Sequence, residues 1–126
     1  MGDCIMGTLR YNTWQNPDGT ENFKCRAWVN FDGTGTVAIR ASGNVSSITD
    51  IAVGQYRVNL TSAMPDANYS VVLTSGYAVG NSGAMFGTIE TDPGVVPTAS
   101  TFQMTTRNSP NGFTFDPSHV FAAVFR

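Results

Sequence analysis

Four runs within residues 24–75 decide the fold: Lys24-Cys-Arg-Ala-Trp-Val-Asn-Phe31, Thr36-Val-Ala-Ile-Arg-Ala-Ser42, Gln55-Tyr-Arg-Val-Asn-Leu-Thr61 and Asn68-Tyr-Ser-Val-Val-Leu-Thr-Ser75. In each run, apolar side chains recur at every second position. A period of two places alternate side chains on opposite faces, which predicts half-buried β-strands and not helices. The runs end at Gly, Asn, Asp or Pro, residues that favour chain reversal. This stretch therefore predicts an antiparallel sheet with one face on a core.

The rest of the chain extends the same pattern. Further strands are predicted at Val45–Asp50, Met85–Glu90, Ser100–Arg107, Phe113–Phe115 and Val120–Arg126. Apolar residues nowhere follow the i, i+3, i+4, i+7 spacing, so we expect essentially no α-helix. Eight or nine short antiparallel strands separated by turns predict an all-β domain, a β-sandwich of jelly-roll-like type, over residues 23–126. Residues 1–22 are too polar for a core of their own, and they predict an N-terminal arm that makes an attachment or subunit contact.

Length and charge narrow the classes of function. A chain of 126 residues suits one domain with a single core. The net charge is −2 with only seven Lys and Arg residues, so no basic patch is available to bind nucleic acid. No apolar stretch approaches the ~20 residues that span a bilayer, and we expect no membrane insertion. The first ten residues lack the pattern of a secretory signal peptide, so we expect synthesis in a cytoplasm.

Chemical motifs are weak throughout the chain. Cys4 and Cys25 lack metal-site spacing, and we expect two reduced thiols, with a Cys4–Cys25 disulfide as the alternative. Gly33-Thr-Gly-Thr-Val-Ala38 fits the dinucleotide pattern, but the following residues alternate as a strand, where that site requires a helix. We therefore expect no cofactor.

Catalytic residues are not apparent either. His119 is the only histidine, and no Ser or Cys stands in a recognisable nucleophile context. The acidic residues are scattered and mostly lie beside Gly, Pro or Asn, as turn-forming residues do. A carboxylate pair assembled from distant loops is the alternative. We expect no enzymatic activity and no metal site.

Several aromatic residues sit where a one-sided sheet would not place them. Trp28 falls on the polar face of its run. Three roles would explain this position: a subunit contact, a ligand platform or part of a second core. The subunit contact is favoured, because aromatic residues and Arg are enriched at interfaces. In the arm, Trp14 either covers the open end of the sandwich or, with Tyr11, anchors the arm on a neighbouring subunit.

The final run, Val120-Phe-Ala-Ala-Val-Phe125, is apolar on both faces. We predict that both faces are buried. One small sandwich has little room for Phe121 and Phe125 together with the other phenylalanines, so contact with further copies of the chain would supply the second buried face.

About half of the chain resembles a module of tailed-phage and prophage virion proteins, common at the C-terminal ends of tail fibres. The similar residues are Ala27-Trp-Val-Asn-Phe-Asp-Gly-Thr-Gly-Thr-Val-Ala-Ile-Arg-Ala-Ser-Gly-Asn-Val-Ser-Ser-Ile-Thr-Asp50, then Gly54-Gln-Tyr-Arg-Val-Asn-Leu-Thr-Ser-Ala-Met-Pro-Asp-Ala-Asn-Tyr-Ser-Val-Val72, and the last strand, Val120 to Arg126. The resemblance implies a virion structural protein, made in the host cytoplasm, that forms a homotrimer and contacts the host surface.

Two roles follow from this resemblance. A tail-fibre or tail-tip module would bind a host cell-surface glycan or protein through exposed loops, and the glycine-rich loop at residues 76–83 offers Tyr77 and Asn81 as receptor contacts. A capsid decoration or head-fibre protein would instead use the arm, with Tyr11 and Trp14, to pack on other virion proteins. The module begins close to Met1, without a long shaft, which keeps the second role open.

Overall fold

The computed structural model describes residues 14–20, 23–76, 85–91, 94–109 and 111–126. Within these ranges the regular structure consists of eight β-strands, with no helix. The strands are β1 (Cys25–Asp32), β2 (Ala38–Gly43), β3 (Val45–Ala52), β4 (Gln55–Leu60), β5 (Ser70–Ser75), β6 (Met85–Ile89), β7 (Thr101–Asn108) and β8 (Val120–Phe125). The predicted all-β class is confirmed, and the four runs that predicted it correspond to β1, β2, β4 and β5.

The strands form two antiparallel sheets. One has the order β2-β1-β8-β5 and the other the order β3-β4-β7-β6. Three ladders join strands that are consecutive in sequence, namely β1–β2, β3–β4 and β6–β7, whereas β8 pairs with both β1 and β5. The chain crosses between the sheets after β2, β4, β5 and β7. This is a β-sandwich, and its jelly-roll-like winding stays a prediction.

The core lies between the sheets and is built by the alternation that the sequence predicted. β1, β8 and β4 each direct every second side chain inward, and β7 adds two large residues. The largest fully buried hydrophobic side chains are Tyr56, Phe31, Phe102, Met104, Val58, Val120 and Val124. The Phe31 and Tyr56 rings meet edge to face with centroids 5.1 Å apart, which joins the two sheets at the centre.

Asn44 makes the crossing from the first sheet to the second. Its φ is +56°, and it is the only residue other than glycine with positive φ among those described. The side-chain Nδ2 donates to Arg26 O and Ser62 O, each at 3.1 Å, and Oδ1 accepts from Ser62 N at 2.7 Å. Asn44 thereby ties the β2–β3 corner to β1 and to the end of β4.

A polar cluster closes the end of the sandwich near Gly54. The buried Tyr56 hydroxyl donates to Asp116 Oδ1 at 2.8 Å, and the same oxygen accepts from Gly54 N at 2.6 Å. Gly33 N donates to Pro117 O at 3.0 Å, so the segment before β8 is attached to both sheets. Burial, followed by the hydrogen bond to Asp116, raises the pKa of Tyr56 far above its ordinary value.

Two sequence predictions need correction. Phe113–Phe115 is not a strand, because its pairing with β7 is limited to one bridge, between Thr114 and Arg107. The residues that follow it take part in the polar cluster instead. The prediction that β8 is buried on both faces is wrong for the single chain. Val120, Ala122 and Val124 are buried, but Phe121 and Phe125 on the opposite face are 39% and 40% exposed.

Candidate interaction surfaces

The two outer faces of the sandwich differ in chemistry. On the β2-β1-β8-β5 sheet, the central strand β8 directs only apolar residues outward, and its neighbour β1 directs Trp28 outward among polar residues. On the β3-β4-β7-β6 sheet, the outward residues of β4 and β7 carry amides, hydroxyls and guanidinium groups: Gln55, Arg57, Asn59, Thr101, Gln103, Thr105 and Arg107. A sandwich needs only its inner faces for a core, so these outer faces can make other contacts, except where the chain itself covers them, as at the fully buried Thr105.

Five residues form what we call the outer apolar face: Trp28, Val72, Phe121, Ala123 and Phe125. They share one surface because Trp28 and Val72 both pair with Ala123, from β1 and β5 respectively. Trp28 is 44% exposed and Val72 is 58% exposed. Exposed apolar patches of this kind on a protein surface mark interaction sites.

Gly43 allows the Trp28 indole to lie across β2. The two residues are Cα partners in the β1–β2 ladder, and a Cβ added at Gly43 would stand 2.5 Å from Trp28 Nε1. On the other side of Trp28 the partner is Ala123, also small. The indole therefore has room to rest against the sheet and leave one side exposed.

A shallow depression of about 380 Å³ lies beside the indole. Its lining includes Trp28 and Phe121, together with Val72 and Thr74 from β5. The depression is an open apolar surface and has no charged residue in its lining. Its shape and chemistry suit an apolar side chain from another protein chain.

The predicted interface residues thus fall into two groups. The structure brings Trp28, Phe121 and Phe125 together on the outer apolar face, where Trp28 is 44% exposed and belongs to no second core among the described residues. Trp14 is 60% exposed and is not part of the core. The remaining predicted contacts, Tyr11 in the arm and the receptor-contact residues Tyr77 and Asn81, lie outside the described residues.

A second candidate surface is a groove of about 330 Å³ on the opposite sheet, which we call the polar groove. Its floor consists of two paired rows, Arg57 with Gln103 and Asn59 with Thr101, from the adjacent strands β4 and β7. Its wall is the connection before β7, from which Gly94, Val95, Val96 and Thr98 line the groove. The periodicity of the sequence does not predict this groove, because its floor joins Arg57 to Gln103, 46 positions away in the chain.

Hydrogen bonds fix the wall at Thr98. Thr98 N donates to Thr101 O at 2.8 Å, and Thr101 N donates back to Thr98 Oγ1 at 3.0 Å. The Tyr69 hydroxyl lies 2.8 Å from Thr98 O and 3.0 Å from Thr101 O. Burial raises the pKa of Tyr69. These contacts attach the wall to β7 and to the start of β5.

Other polar clusters have structural roles. Asp32 accepts hydrogen bonds from the Thr34 hydroxyl and Thr34 N, which lower its pKa, and it also pairs with Arg40 at 2.9 Å. Glu90 accepts a hydrogen bond from the buried Thr105 hydroxyl. In the described part of the chain, no three His, Cys, Asp or Glu side chains are arranged to hold a metal ion. The Cys25 thiol is free.

Comparison with known proteins gave no match. No family model matches the chain, no curated protein is significantly similar to it in sequence, and no solved structure is significantly similar to its fold. Among the residues that the structure describes, no helix is long and apolar enough to cross a membrane.

Proposed function

We propose that this protein is a non-enzymatic structural component of a bacteriophage virion, a tail-fibre or tail-tip-like module that assembles as a homotrimer and contacts the host surface. The observation that carries the proposal is the outer apolar face. A β-sandwich that works alone has no use for an exposed tryptophan and two exposed phenylalanines on one sheet, whereas an assembled one buries them between copies.

Self-association follows from the position of β8 as well as from its composition. β8 lies between β1 and β5, so its outward residues stand near the middle of the sheet and not at its margin. Phe121 pairs with Asn30 and Thr74, which leaves the ring flanked by smaller side chains. Aromatic side chains placed centrally in an interface contribute most of its binding energy.

The virion assignment comes from the resemblance of residues 27–50, 54–72 and 120–126 to phage tail-fibre modules. Those segments supply most of β1 and β3, all of β2, β4 and β8, and the first part of β5, so they include all five residues of the outer apolar face. The resemblance and the exposed aromatic residues therefore concern the same surface. A module that assembles through this sheet leaves the opposite face and the loops free to meet a host.

The first test is the solution mass of the purified protein, measured by light scattering at several concentrations. We expect the wild-type chain to be a trimer, and we expect Phe121→Ser and Trp28→Ser to shift it to monomer or aggregate, because each places a small side chain in the centre of the contact. Phe86→Ser is the matched control, since Phe86 is 40% exposed on the outer face of the other sheet.

Two results would contradict this proposal. One is a wild-type monomer at tens of micromolar, and the other is an oligomer whose mass is unaffected by Phe121→Ser but reduced by Phe86→Ser. The same wild-type sample, labelled and mixed with whole bacterial cells, then tests host contact. An oligomer that stays in solution with every candidate host would remove the host-contact part of the proposal.

A capsid decoration or head-fibre role is the second candidate. The observation that favours it is the 60% exposure of Trp14, which leaves the indole available to another virion protein. In this role the arm, residues 1–22, anchors the sandwich and the outer apolar face still joins the copies.

A further inference from the structure

The polar groove offers hydrogen-bonding groups that the described protein does not use. Gln103 is only 8% exposed, and its Oε1 accepts from the Arg57 guanidinium at 3.4 Å. Its Nε2 has no hydrogen-bond partner within the described residues, yet it is not enclosed, because the side chain lines the groove. A nearly buried amide that keeps one open donor towards a cavity is a typical element of a polar binding site.

Arg57 adds a charge to the same place. It lies on the groove floor beside Gln103, and none of the described carboxylates forms an ion pair with it. By contrast, Arg40 and Arg126 form ion pairs with aspartates elsewhere on the protein, Asp32 and Asp66 respectively. The Arg57 guanidinium and the Gln103 amide N–H are both donors, and a charged donor beside a second donor favours a carboxylate over a neutral group.

The rest of the groove suits a sugar ring. Asn59 uses its Nδ2 to bond Ser47 and Thr49, at 3.0 Å to each hydroxyl, so its Oδ1 remains as an acceptor at the floor. Val95 and Val96 provide apolar wall, against which the C–H face of a sugar packs. A cavity of about 330 Å³ lies within the size range of small-molecule sites.

We infer that the polar groove binds an acidic saccharide, with the sugar carboxylate held by Arg57 and Gln103 and a ring hydroxyl donating to Asn59. Sugars without a carboxylate leave the guanidinium unpaired and bind more weakly. The inference deepens the host-contact part of the proposed function and rests on it for its biological meaning. The groove lies on the sheet opposite the outer apolar face, so assembly through that face leaves it open.

Amide chemical shifts of the wild-type protein, titrated with glucuronate, galacturonate or N-acetylneuraminate, test the site directly. We expect at least one of these acids to shift the backbone amides of β4 and β7 that line the groove, and we expect its methyl ester to bind at least tenfold more weakly. Arg57→Gln should lose at least tenfold in affinity for the acid. Arg107→Gln is the matched control, because Arg107 extends from the same sheet face outside the groove and should bind like wild type.

Three outcomes would overturn the inference: no acid shifts the groove amides, the acid and its ester bind equally, or inorganic phosphate produces the same shifts with equal affinity. Light scattering on the same sample separates this inference from the proposed function. A trimer without saccharide binding removes only the groove assignment, whereas a monomer that binds the acid supports the groove and contradicts the proposed assembly.

Discussion

Asn44 shows how one residue can hold a corner of the sandwich. Its positive φ lets a single residue connect β2 to β3, and its side chain forms hydrogen bonds with three backbone groups, one on β1 and two on Ser62 after β4. Asn tolerates the left-handed region better than most residues other than glycine. Asn44 therefore contributes to the stability of the fold in two ways, through its backbone conformation and through its hydrogen bonds. Two substitutions can separate these contributions.

Asn44→Ala should destabilise the fold by about 2–4 kcal/mol, since it combines left-handed strain with the loss of three hydrogen bonds. Asn44→Gly loses the same hydrogen bonds but tolerates the positive φ, so it should cost about 1 kcal/mol less than the alanine variant. Urea unfolding of the wild type and both variants measures the difference. Equal stability of the two variants would show that the corner carries no strain.

The sequence predicts this corner only in part. Gly43-Asn44 was readable as a turn because both residues favour chain reversal. The partners of the Asn44 side chain cannot be predicted from the sequence. Arg26 and Ser62 each lie 18 positions away, and they become neighbours of Asn44 only when β1 and β4 are folded into the sandwich. The same limit applies to the Trp28 indole, whose close fit over Gly43 depends on the register of the β1–β2 ladder.

At the scale of elements, alternation predicted the strands but not the order in which they pair. β1, β2, β4 and β5 were predicted within one or two residues of their observed ends, because each alternating run is bounded by turn residues. Phe113–Phe115 also alternates, yet the neighbouring Asp116 and Pro117 are bound to Tyr56, Gly54 and Gly33, and the segment forms a single bridge to β7 and no longer ladder. Local pattern cannot show such a competing set of contacts.

The end of β8 is held by an ion pair that should respond to acid. The Arg126 guanidinium contacts both Asp66 oxygens, at 3.1 and 2.6 Å, and this hydrogen bonding, assisted by Asn68 N, lowers the pKa of Asp66. Because the folded-state pKa is below the ordinary value of about 4, the stabilisation is present above that value and is lost as the pH falls through the folded pKa.

Arg126→Gln should raise the pKa of Asp66 towards its ordinary value but not fully, because the Asn68 N–H bond remains. The side-chain carboxyl signals, followed by NMR from pH 7 to pH 2, give the pKa directly. Asp18 is an internal reference, since its pKa is lowered by Thr20 and not by an arginine, and it should titrate identically in both proteins. An unchanged Asp66 pKa in the variant would assign its lowering to the backbone bond alone.

At the scale of the whole molecule, the arm and the sandwich should separate cleanly. The core residues begin at Ala27, and the described part of the arm forms its own turn, in which Gly19 N donates to Asn16 O at 2.9 Å. We therefore expect deletion of residues 1–22 to leave the circular dichroism spectrum and the unfolding midpoint close to those of the full chain.

The same deletion distinguishes the two proposed virion roles. If the arm anchors the protein, the truncated chain should be absent from purified particles, as measured by mass spectrometry, while an intact-arm Trp14→Ala variant shows reduced incorporation. If the arm has no such role, the truncated chain should be incorporated at wild-type levels. Particles that contain the truncated chain would therefore exclude the arm-anchored decoration role.

The central position of β8 also determines when this domain can form. β1 and β5 have no shared partner until Val120–Phe125 has been synthesised, almost 90 residues after the end of β1, so the first sheet cannot close progressively as the chain emerges. Until β8 is available, the edges of β1 and β5 that face it have no hydrogen-bonded neighbour. A topology with such distant pairings folds slowly, on a scale of about milliseconds to seconds. During that interval the edges of β1 and β5 can pair with other chains, so expression at high level should favour aggregation before folding.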